Sequence, residues 1–380
     1  MRDRDRNAPA RRDVLPNVTK IAVLRANALG DYFLTLPALA ALRVTYPHAE
    51  IVLFGRHWHA SFLAPGGVRR PGPVDRVVVV PYSTGIYDPP GPGDRADQAE
   101  LEHFFATMRE EQFDLAIQLH GGGRYSNPFV LQLGARVTVG LRTPDAAPLD
   151  AWVPHIYYQH ETIRSLEVVG LVGAATQELE PHLVVTPFDR AAAGPFLSAV
   201  QHPFAVLHPG AGDSRRRWPP ASFAAVGDAL AGAGVDVVVI GIEAERDLAA
   251  TVVDAMEAPA RNLAGCLSLE ALAGLLSEAH VMVANDSGPR HLAGAVGVPT
   301  VGIFWCGNLI NSGPLTRTFH RQAISWRLRC PVCDLDCTRA SCNHRDSFVA
   351  DVPPEEVAAA ATDVLATASR MNGARPRRVT

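Results

Sequence analysis

The chain has 380 residues, of which 47% are hydrophobic and 19% are charged, and 35 basic residues against 39 acidic ones give a formal net charge of −4. This composition is typical of a soluble globular protein with room for two domains, and it excludes a disordered or fibrous chain. The weakly negative net charge argues against nucleic acid as a partner.

Both ends of the chain are rich in arginine, and we predict disordered tails over residues 1–17 and 370–380. No stretch approaches the roughly 18 apolar residues that cross a bilayer. The first residues also lack the apolar core of an export signal. With six cysteines and no such signal, we expect a protein of the reducing cytoplasm.

In the first half of the chain, short apolar runs alternate with amphipathic segments. The predicted strands are Ile21–Leu24, Ile51–Phe54, Val77–Val80, Leu115–Leu119 and Val137–Val139. The predicted helices are Asp31–Tyr46 and Glu161–Val172. Such alternation is typical of a parallel sheet with helices on both faces.

The second half repeats this pattern. Its predicted strands are Phe204–Leu207, Val235–Ile240, Val281–Ala284 and Thr300–Phe304, and its predicted helices are Ala221–Ala231, Glu243–Met256, Leu269–Ser277 and Arg290–Val296. We therefore predict an α/β protein with one Rossmann-like domain over residues 18–190, another over 191–352, and a terminal helix over 353–369. Two doubly wound domains that face a central cleft would bind ligands at the carboxyl ends of their strands.

The motif Ala28-Leu-Gly-Asp31 follows the first predicted strand. An aspartate at a helix start is commonly an N-cap. A carboxylate that faces the cleft is also what a general base requires. Both interpretations of Asp31 stay open from the spacing.

A glycine loop, His208-Pro-Gly-Ala-Gly212, and a basic turn, Ser214-Arg-Arg-Arg-Trp-Pro219, follow the first strand of the second half. Gly210 and Gly212 let backbone N–H groups approach an anion, and Arg216 and Arg217 suit a pyrophosphate. A solvated basic loop before a helix explains the same residues equally well.

Two further strand ends carry acidic groups. Asn285-Asp-Ser-Gly-Pro-Arg-His291 places Asp286, Ser287, Gly288 and His291 at one strand end, and Gly241-Ile-Glu-Ala-Glu245 places Glu245 at another. A carboxylate at the Glu245 position can bind ribose hydroxyls, although an acidic first helical turn is the simpler explanation there. A capped turn with a core histidine explains Asp286 and Gly288 but does not require Ser287 and His291 as well.

Four cysteines lie close together as Cys330-x2-Cys333-x3-Cys337-x4-Cys342, with His344 beyond them. Four thiols at such spacings could hold structural zinc or iron. The spacing is not that of a standard zinc finger or ribbon, so reduced thiols are the alternative.

Taken together, these motifs resemble glycosyltransferase family 9, the ADP-heptose:lipopolysaccharide heptosyltransferases. The resemblance runs from about Lys20 to Leu365. It is carried by KIAVLRANALGDYFLTLPALAALRVTYPHAEI, FAVLHPGAGDSRRRWPPASFAAVGDAL and NLAGCLSLEALAGLLSEAHVMVANDSGPRHLAGAVGVPTVGIF.

The resemblance implies a GT-B fold and an inverting transfer that requires no cofactor for catalysis. It implies Asp31 as the general base, Arg216 and Arg217 at the donor diphosphate, and Glu245 at the ribose. Asp286, Ser287, Gly288 and His291 would lie around the pyrophosphate and sugar, with the backbone of Gly210 and Gly212. The expected donor is ADP-heptose, and the expected acceptor is a hydroxyl of lipopolysaccharide core or another glycan.

Alternatives remain for each part of this function. Another nucleotide sugar could be the donor, a protein or a natural product could be the acceptor, or the chain could bind a sugar nucleotide without catalysis. Arg56 and Arg124 are the candidate acceptor-binding residues of the first domain. The sequence leaves open a peripheral contact with the cytoplasmic face of the inner membrane, and it does not indicate an oligomeric state.

Overall fold

The computed structural model describes residues 13–88, 97–200 and 202–372. The chain forms two compact units, Met1–Pro181 and His182–Thr380. Each unit contains a six-stranded parallel sheet that is accompanied by helices. The predicted α/β class, with two doubly wound domains, is confirmed.

The first unit is built around a central strand whose two neighbours come from different parts of the chain. Its strands are β1 (Lys20–Leu24), β2 (Glu50–Gly55), β3 (Arg76–Val79), β4 (Leu115–Gln118), β5 (Val137–Arg142) and β6 (Ala151–Pro154). Its helices are α1 (Leu29–Thr45), α2 (His57–Leu63), α3 (Gln98–Glu110), α4 (Ser126–Gln132) and α5 (Glu161–Gly170). The sheet order is β3-β2-β1-β4-β5-β6. The order changes direction at β1, and ligands bind outside the carboxyl ends of strands at such a point.

The second unit has the same plan. Its strands are β7 (Phe204–His208), β8 (Asp236–Val239), β9 (Arg261–Asn262), β10 (Val281–Asn285), β11 (Thr300–Trp305) and β12 (His320–Ser325). Its helices are α6 (Pro187–Leu197), α7 (Pro220–Gly232), α8 (Arg246–Ala255), α9 (Leu269–Glu278), α10 (Gly288–Ala295), α11 (Cys306–Ser312) and α12 (Pro354–Asn372). The order β12-β11-β10-β7-β8-β9 places the change of direction at β7 and β10. Val357, Ala361 and Val364 of α12 belong to the core of this unit.

The central strands are continuous apolar runs because helices cover a doubly wound sheet on both faces. In β1, the residues Ile21–Leu24 are each no more than 1% exposed. In β10, all five residues are buried, and they end with the polar Asn285. The motifs with polar and charged residues therefore begin where these apolar strands end.

The two units divide between residues 181 and 182, before α6 begins. The sequence predicted a boundary between residues 190 and 191, which lie within α6. Thr186 and Asp189 form a capping box at the start of α6, in which the Thr186 N–H donates to Asp189 Oδ2 at 2.6 Å. This helix packs closely on α9, since a Cβ built on Gly274 would lie 2.2 Å from the Asp189 carbonyl oxygen. Residues 182–190, which the sequence assigned to the first domain, are thus part of the second unit.

The expected tails are shorter than predicted where the structure describes them. The Leu15 N–H donates to the Tyr46 hydroxyl at 3.1 Å, and Arg136 Nη2 donates to the Pro16 carbonyl at 3.1 Å. Residues 13–17 therefore lie against the first unit, and residues 370–372 complete α12. Residues 1–12 and 373–380 lie outside the described residues. Within the described ranges, we find no helix with the length and apolar character of a membrane span.

Candidate functional site

Asp31 lies in the first turn of α1, directly after the carboxyl end of β1. Its Oδ2 accepts a hydrogen bond from the Ala28 N–H at 3.2 Å, so the carboxylate caps its own helix. Its Oδ1 lies 3.3 Å from Arg25 Nη2, and the side chain remains 33% exposed. The capping role and an accessible carboxylate, which the sequence left as alternatives, are present together.

The buried Arg25 side chain connects the end of β1 to α1, α5 and the residue after β4. Its guanidinium is buried and donates to the Leu119 carbonyl, to the Asp31 carbonyl at 3.3 Å and to Glu161 Oε2 at 3.1 Å. Burial opposes ionisation of Glu161, but Arg25 and Arg164 more than offset it, and the pKa of Glu161 is lowered. Sequence reasoning missed Arg25 and Glu161, although an arginine directly after a buried strand was a usable signal.

The two candidate acceptor-binding arginines follow strands on either side of β1. Arg56 follows β2, donates through Nε to the Ala26 carbonyl, and lies over the Tyr87 ring at 4.9 Å. Arg124 follows β4 with a side chain that is 68% exposed and lies 3.8 Å from Asp145 Oδ2. Both therefore lie at the carboxyl edge of the first sheet, where Asp31 also lies.

In the second unit, Glu245 packs directly on the glycine loop that follows β7. A Cβ built on Gly210 would lie 2.1 Å from Glu245 Oε1. Glu245 Oε2 accepts from the Ile242 N–H at 3.1 Å and lies 3.4 Å from His208 Nε2. Burial raises the pKa of Glu245, but His208 and the Ile242 N–H outweigh it, so the pKa is lowered. The site therefore holds a carboxylate anion beside two backbone turns.

Asp286 is the centre of a buried charge cluster at the end of β10. Its Oδ2 accepts from Arg216 Nη1 at 3.1 Å, and its Oδ1 accepts from the Ser312 hydroxyl at 2.9 Å. Arg290 Nη2 and His291 Nε2 lie 3.5 and 3.6 Å from the same Oδ1. Burial opposes ionisation, yet His291, Arg290 and Arg216 hold the pKa of Asp286 well below its ordinary range.

His208 joins the two acidic centres and was missed as a site residue. Its Nδ1 lies 3.0 Å from the Ser287 hydroxyl, while its Nε2 faces Glu245. Ser287 is the N-cap position of α10, which begins at Gly288. The imidazole thus connects the ends of β7 and β10, which are neighbours in the sheet.

Asn285 connects the glycine loop to the arginine turn, and sequence reasoning assigned it no role. Its Nδ2 donates to the Pro209 carbonyl at 2.8 Å, and its Oδ1 accepts from the Trp218 N–H at 3.1 Å. Arg217 Nε donates to the Ala211 carbonyl at 3.0 Å, which ties the two loops together a second time. The predicted donor-site residues of the second unit therefore lie together on the segments that follow β7, β8 and β10: Gly210, Gly212, Arg216, Arg217, Glu245, Asp286, Ser287, Gly288 and His291.

The cysteine cluster forms a separate candidate centre in the second unit. Ligand atoms of Cys330, Cys333, Cys342 and His344 lie within 4.8 Å of one another, and none of the cysteines is in a disulfide. Burial opposes ionisation of Cys330, but the N–H groups of Cys333 and Val332 and the nearby thiols outweigh it and lower the pKa of Cys330 to about 6. Cys337, expected in the ligand set, lies outside this group, and His344 takes the fourth position.

Solved structures of similar proteins show which fold class this chain has. The Escherichia coli ADP-heptose lps heptosyltransferase II superposes with a TM-score of 0.72 at 20% identity, over 92% of this chain and 100% of that chain. The iron-containing heptosyltransferase TibC of enterotoxigenic E. coli gives 0.54 at 12% identity, over 94% of this chain and 80% of that chain. The fold is therefore the GT-B fold of glycosyltransferases.

Sequence comparison then identifies the family. The model for glycosyltransferase family 9 (heptosyltransferase) matches residues 102–327, which is more than half of the chain. Lipopolysaccharide heptosyltransferase 2 of Salmonella typhimurium is 26% identical over 75% of this chain and 82% of its own length. The chain belongs to glycosyltransferase family 9 and is a glycosyltransferase.

Proposed function

We propose that this enzyme transfers a heptose from ADP-heptose to a hydroxyl of lipopolysaccharide core or another glycan, with inversion at the anomeric carbon. The observation that carries the proposal is the network around Asp286 and Glu245 at the carboxyl ends of β7 and β10. A cationic group, two acidic groups and a glycine loop meet there within hydrogen-bond range. The heptosyltransferases to which the chain is similar support the choice of sugar.

The second unit supplies the donor site in this proposal. Glu245 is an anion beside the glycine loop at the carboxyl end of β7, so it can accept hydrogen bonds from the two hydroxyls of a ribose. Arg216 is held by Asp286 through Nη1, and its side chain is still 30% exposed. A donor diphosphate binds there and at the backbone N–H groups of Gly210 and Gly212. These groups stabilise the charge that grows on the leaving ADP in the transition state.

The first unit supplies the base. Asp31 takes the proton of the acceptor hydroxyl as the oxygen attacks the anomeric carbon, and the bond from that carbon to the diphosphate oxygen breaks. Arg25 and the Ala28 N–H orient the carboxylate without covering it. Arg56 and Arg124 contact the acceptor at the same sheet edge. A positioned general base contributes about 10² to 10⁴ in rate.

The remaining parts of the proposal concern the cysteine cluster and the location of the enzyme. The cluster holds zinc or iron in a structural role, supported by its thiol and imidazole groups and by the iron-containing relative. The enzyme works in the cytoplasm, at the inner-membrane face where a lipid-linked acceptor would be available.

The test measures sugar transfer with purified enzyme, ADP-heptose and heptose-deficient lipopolysaccharide. We expect Asp31→Asn to lower kcat at least about 10²-fold while the Kd for ADP stays within about twofold, because the base does not contact the donor. Asp97→Asn is the control, since Asp97 also accepts hydrogen bonds from backbone N–H groups at the start of a helix of the same unit. That control should retain full activity.

Three results would change the proposal. Near-normal turnover by Asp31→Asn would remove Asp31 from its role. Faster ADP-sugar or UDP-sugar turnover with a different sugar would replace heptose as the donated group. Tight ADP binding without transfer to any acceptor would make the chain a non-catalytic binding protein.

A further inference from the structure

We infer that Cys330, Cys333, Cys342 and His344 form a zinc site whose role is to fix the arginine turn Ser214–Arg217. Loading of this site would then set the affinity of the enzyme for a nucleoside diphosphate. The effect on diphosphate affinity rests on the proposed function, whereas the zinc site and the held turn do not.

The ligand set is indicated by the positions of the four side chains. Their sulfur and nitrogen atoms lie within 4.8 Å of one another, close enough to share one ion. His344 Nδ1 is buried and has no hydrogen-bond partner among the residues that the structure describes. Leaving a buried imidazole nitrogen unpaired is costly, and a bound metal would satisfy it. Three thiolates and one imidazole are a standard tetrahedral donor set for zinc.

Cys337 is excluded from this set by its own contacts. It lies beside Cys342, but its Sγ donates to the Leu335 carbonyl at 3.4 Å and lies outside the four-atom group. This differs from the set of four cysteines that the sequence suggested. It also provides a control, because removal of the Cys337 thiol should leave all four ligands in place.

The segment that follows the last ligand is fastened to the arginine turn by three hydrogen bonds. The Ser214 hydroxyl donates to the Arg345 carbonyl at 3.1 Å, and the Phe348 N–H donates to the Arg215 carbonyl at 2.8 Å. The Ser347 hydroxyl donates to the Arg217 carbonyl at 2.6 Å. Every residue of the turn except Arg216 is thus held directly from this segment.

These hydrogen bonds to its neighbours help to set the position of Arg216. The turn is a single 3₁₀ turn of three residues, Ser214–Arg216, which Asp213 caps by accepting from the Arg215 N–H at 3.0 Å. So short a turn also needs contacts from outside to keep one conformation. Arg216 reaches Asp286 only from the backbone position that its neighbours define. Residues 345–348 begin directly after His344, so an anchored His344 holds them in place. Without the metal, this segment is held only from its far end, where Phe348 is buried and Val349 belongs to the core, so the contacts of Arg345 and Ser347 with the turn are less firmly fixed.

The first experiment measures metal content and thiol state of the purified full-length protein. We expect about one zinc per chain in the wild type and in Cys337→Ser. Cys342→Ser and His344→Ala should lose it, and His344→Cys should recover it because a fourth thiolate is an equivalent ligand. Cobalt substitution of the wild type should give the absorption bands of a tetrahedral thiolate site. Iron in place of zinc, a disulfide within the cluster, or metal retained by His344→Ala would overturn the assignment.

The second experiment measures ADP affinity and exchange at the turn. We expect the metal-free wild type and His344→Ala to bind ADP about tenfold more weakly, and His344→Cys to bind it normally. Hydrogen exchange at residues 214–217 should rise in the same two samples. Arg216→Gln should lose ADP affinity with its zinc retained, which separates the donor site from the metal site.

The outcomes distinguish the two proposals. Faster exchange at the turn with zinc loss but no change in ADP affinity would contradict the donor role of Arg216 and leave standing the role of the zinc site in fixing the turn. Unchanged exchange at the turn after zinc loss would contradict that role of the zinc site.

Discussion

Gly210 has no side chain because the Glu245 carboxylate occupies the space in which one would stand, 2.1 Å from a built Cβ. For Gly212, two residues further on, the nearest side-chain atom is Arg216 Nη2 at 3.7 Å, which is an ordinary contact. At Gly210, the Glu245 carboxylate leaves no room for a side chain. At Gly212, there is room for a side chain, and its absence leaves the backbone N–H accessible.

This difference gives a paired prediction. We expect Gly210→Ala to displace Glu245 and to raise the Kd for ADP about tenfold, because the carboxylate would no longer face the ribose. Gly212→Ala should raise the Kd less than Gly210→Ala does, since its methyl group meets only Arg216 Nη2, at an ordinary contact distance of 3.7 Å. Isothermal titration calorimetry measures both, and thermal unfolding shows that each variant is folded. Equal effects of the two substitutions would contradict a role for Glu245 at the nucleotide.

The candidate site was partly visible in the sequence for a local reason. Glycines, arginines and carboxylates stand in short blocks at the ends of apolar runs, so their common sheet edge follows from the α/β pattern. Arg25 and Asn285 were missed because their partners are distant in sequence. Arg25 meets Glu161 and Asn285 meets Trp218 only once the units have folded, over separations of 136 and 67 residues.

At the scale of elements, Arg25 fastens together the end of β1 and the starts of α1 and α5. It binds Asp31 of α1 and Glu161 of α5 from a buried position. The two strands next to β1 position Arg56 and Arg124 at the same edge. An ion pair in such a place is costly to break on one side only, because the remaining charge stays buried.

We expect Glu161→Gln to lower the free energy of unfolding at pH 7 by about 2 kcal/mol. The pKa of Glu161 is lowered on folding, so the carboxylate stabilises the folded state above its unfolded pKa. This contribution is lost as pH falls through the lower, folded value. The difference between wild type and variant should therefore be full at pH 7 and smaller at pH 4, as measured by urea unfolding. Glu167→Gln, on the exposed face of the same helix, is the control and should cost less than about 0.5 kcal/mol.

Elements at the sheet edges were harder to predict than those at the centre. The central strands are uninterrupted apolar runs, whereas β9 is Arg261–Asn262 and β12 has the sequence HRQAIS. An edge strand is covered less fully, so polar residues replace the apolar signal. The structure divides the units between residues 181 and 182, ahead of α6, and α6 contains Pro195, which weakens its helical pattern in the sequence.

At the scale of the whole molecule, the described residues include five histidines whose pKa burial lowers. The pKa is lowered to about 3 for His59 and His120 and to about 4 for His320, and it is also lowered for His155 and His280. The formal net charge of −4 does not reveal these lowered pKa values, because neutral histidines do not contribute to it. The acid response of the protein is therefore set by burial, which composition cannot reveal.

The sign of this response follows from the direction of the shifts. Below pH 6.5 an unfolded chain protonates these histidines, while the folded chain keeps them neutral, so stability falls as pH drops from 6.5. Each fully shifted histidine contributes up to about 1.4 kcal/mol per pH unit. Carboxylates with lowered pKa, such as Asp286 and Glu161, do not add to the slope until pH falls to about 4.5.

The interval from pH 6 to 5 therefore reports mainly the histidines, because it lies below the lowered pKa of Cys330, about 6. We expect the free energy of opening at β1 and β4, measured by native-state hydrogen exchange, to fall steadily across this interval. His59→Gln and His120→Gln should each flatten the slope by about 1 kcal/mol per pH unit, whatever they do to the stability at pH 7. His48→Gln alters an exposed residue and should leave the slope unchanged. A flat or rising profile in the wild type would mean that these two imidazoles can take up protons in the folded state, and that the interior next to β1 is accessible to water.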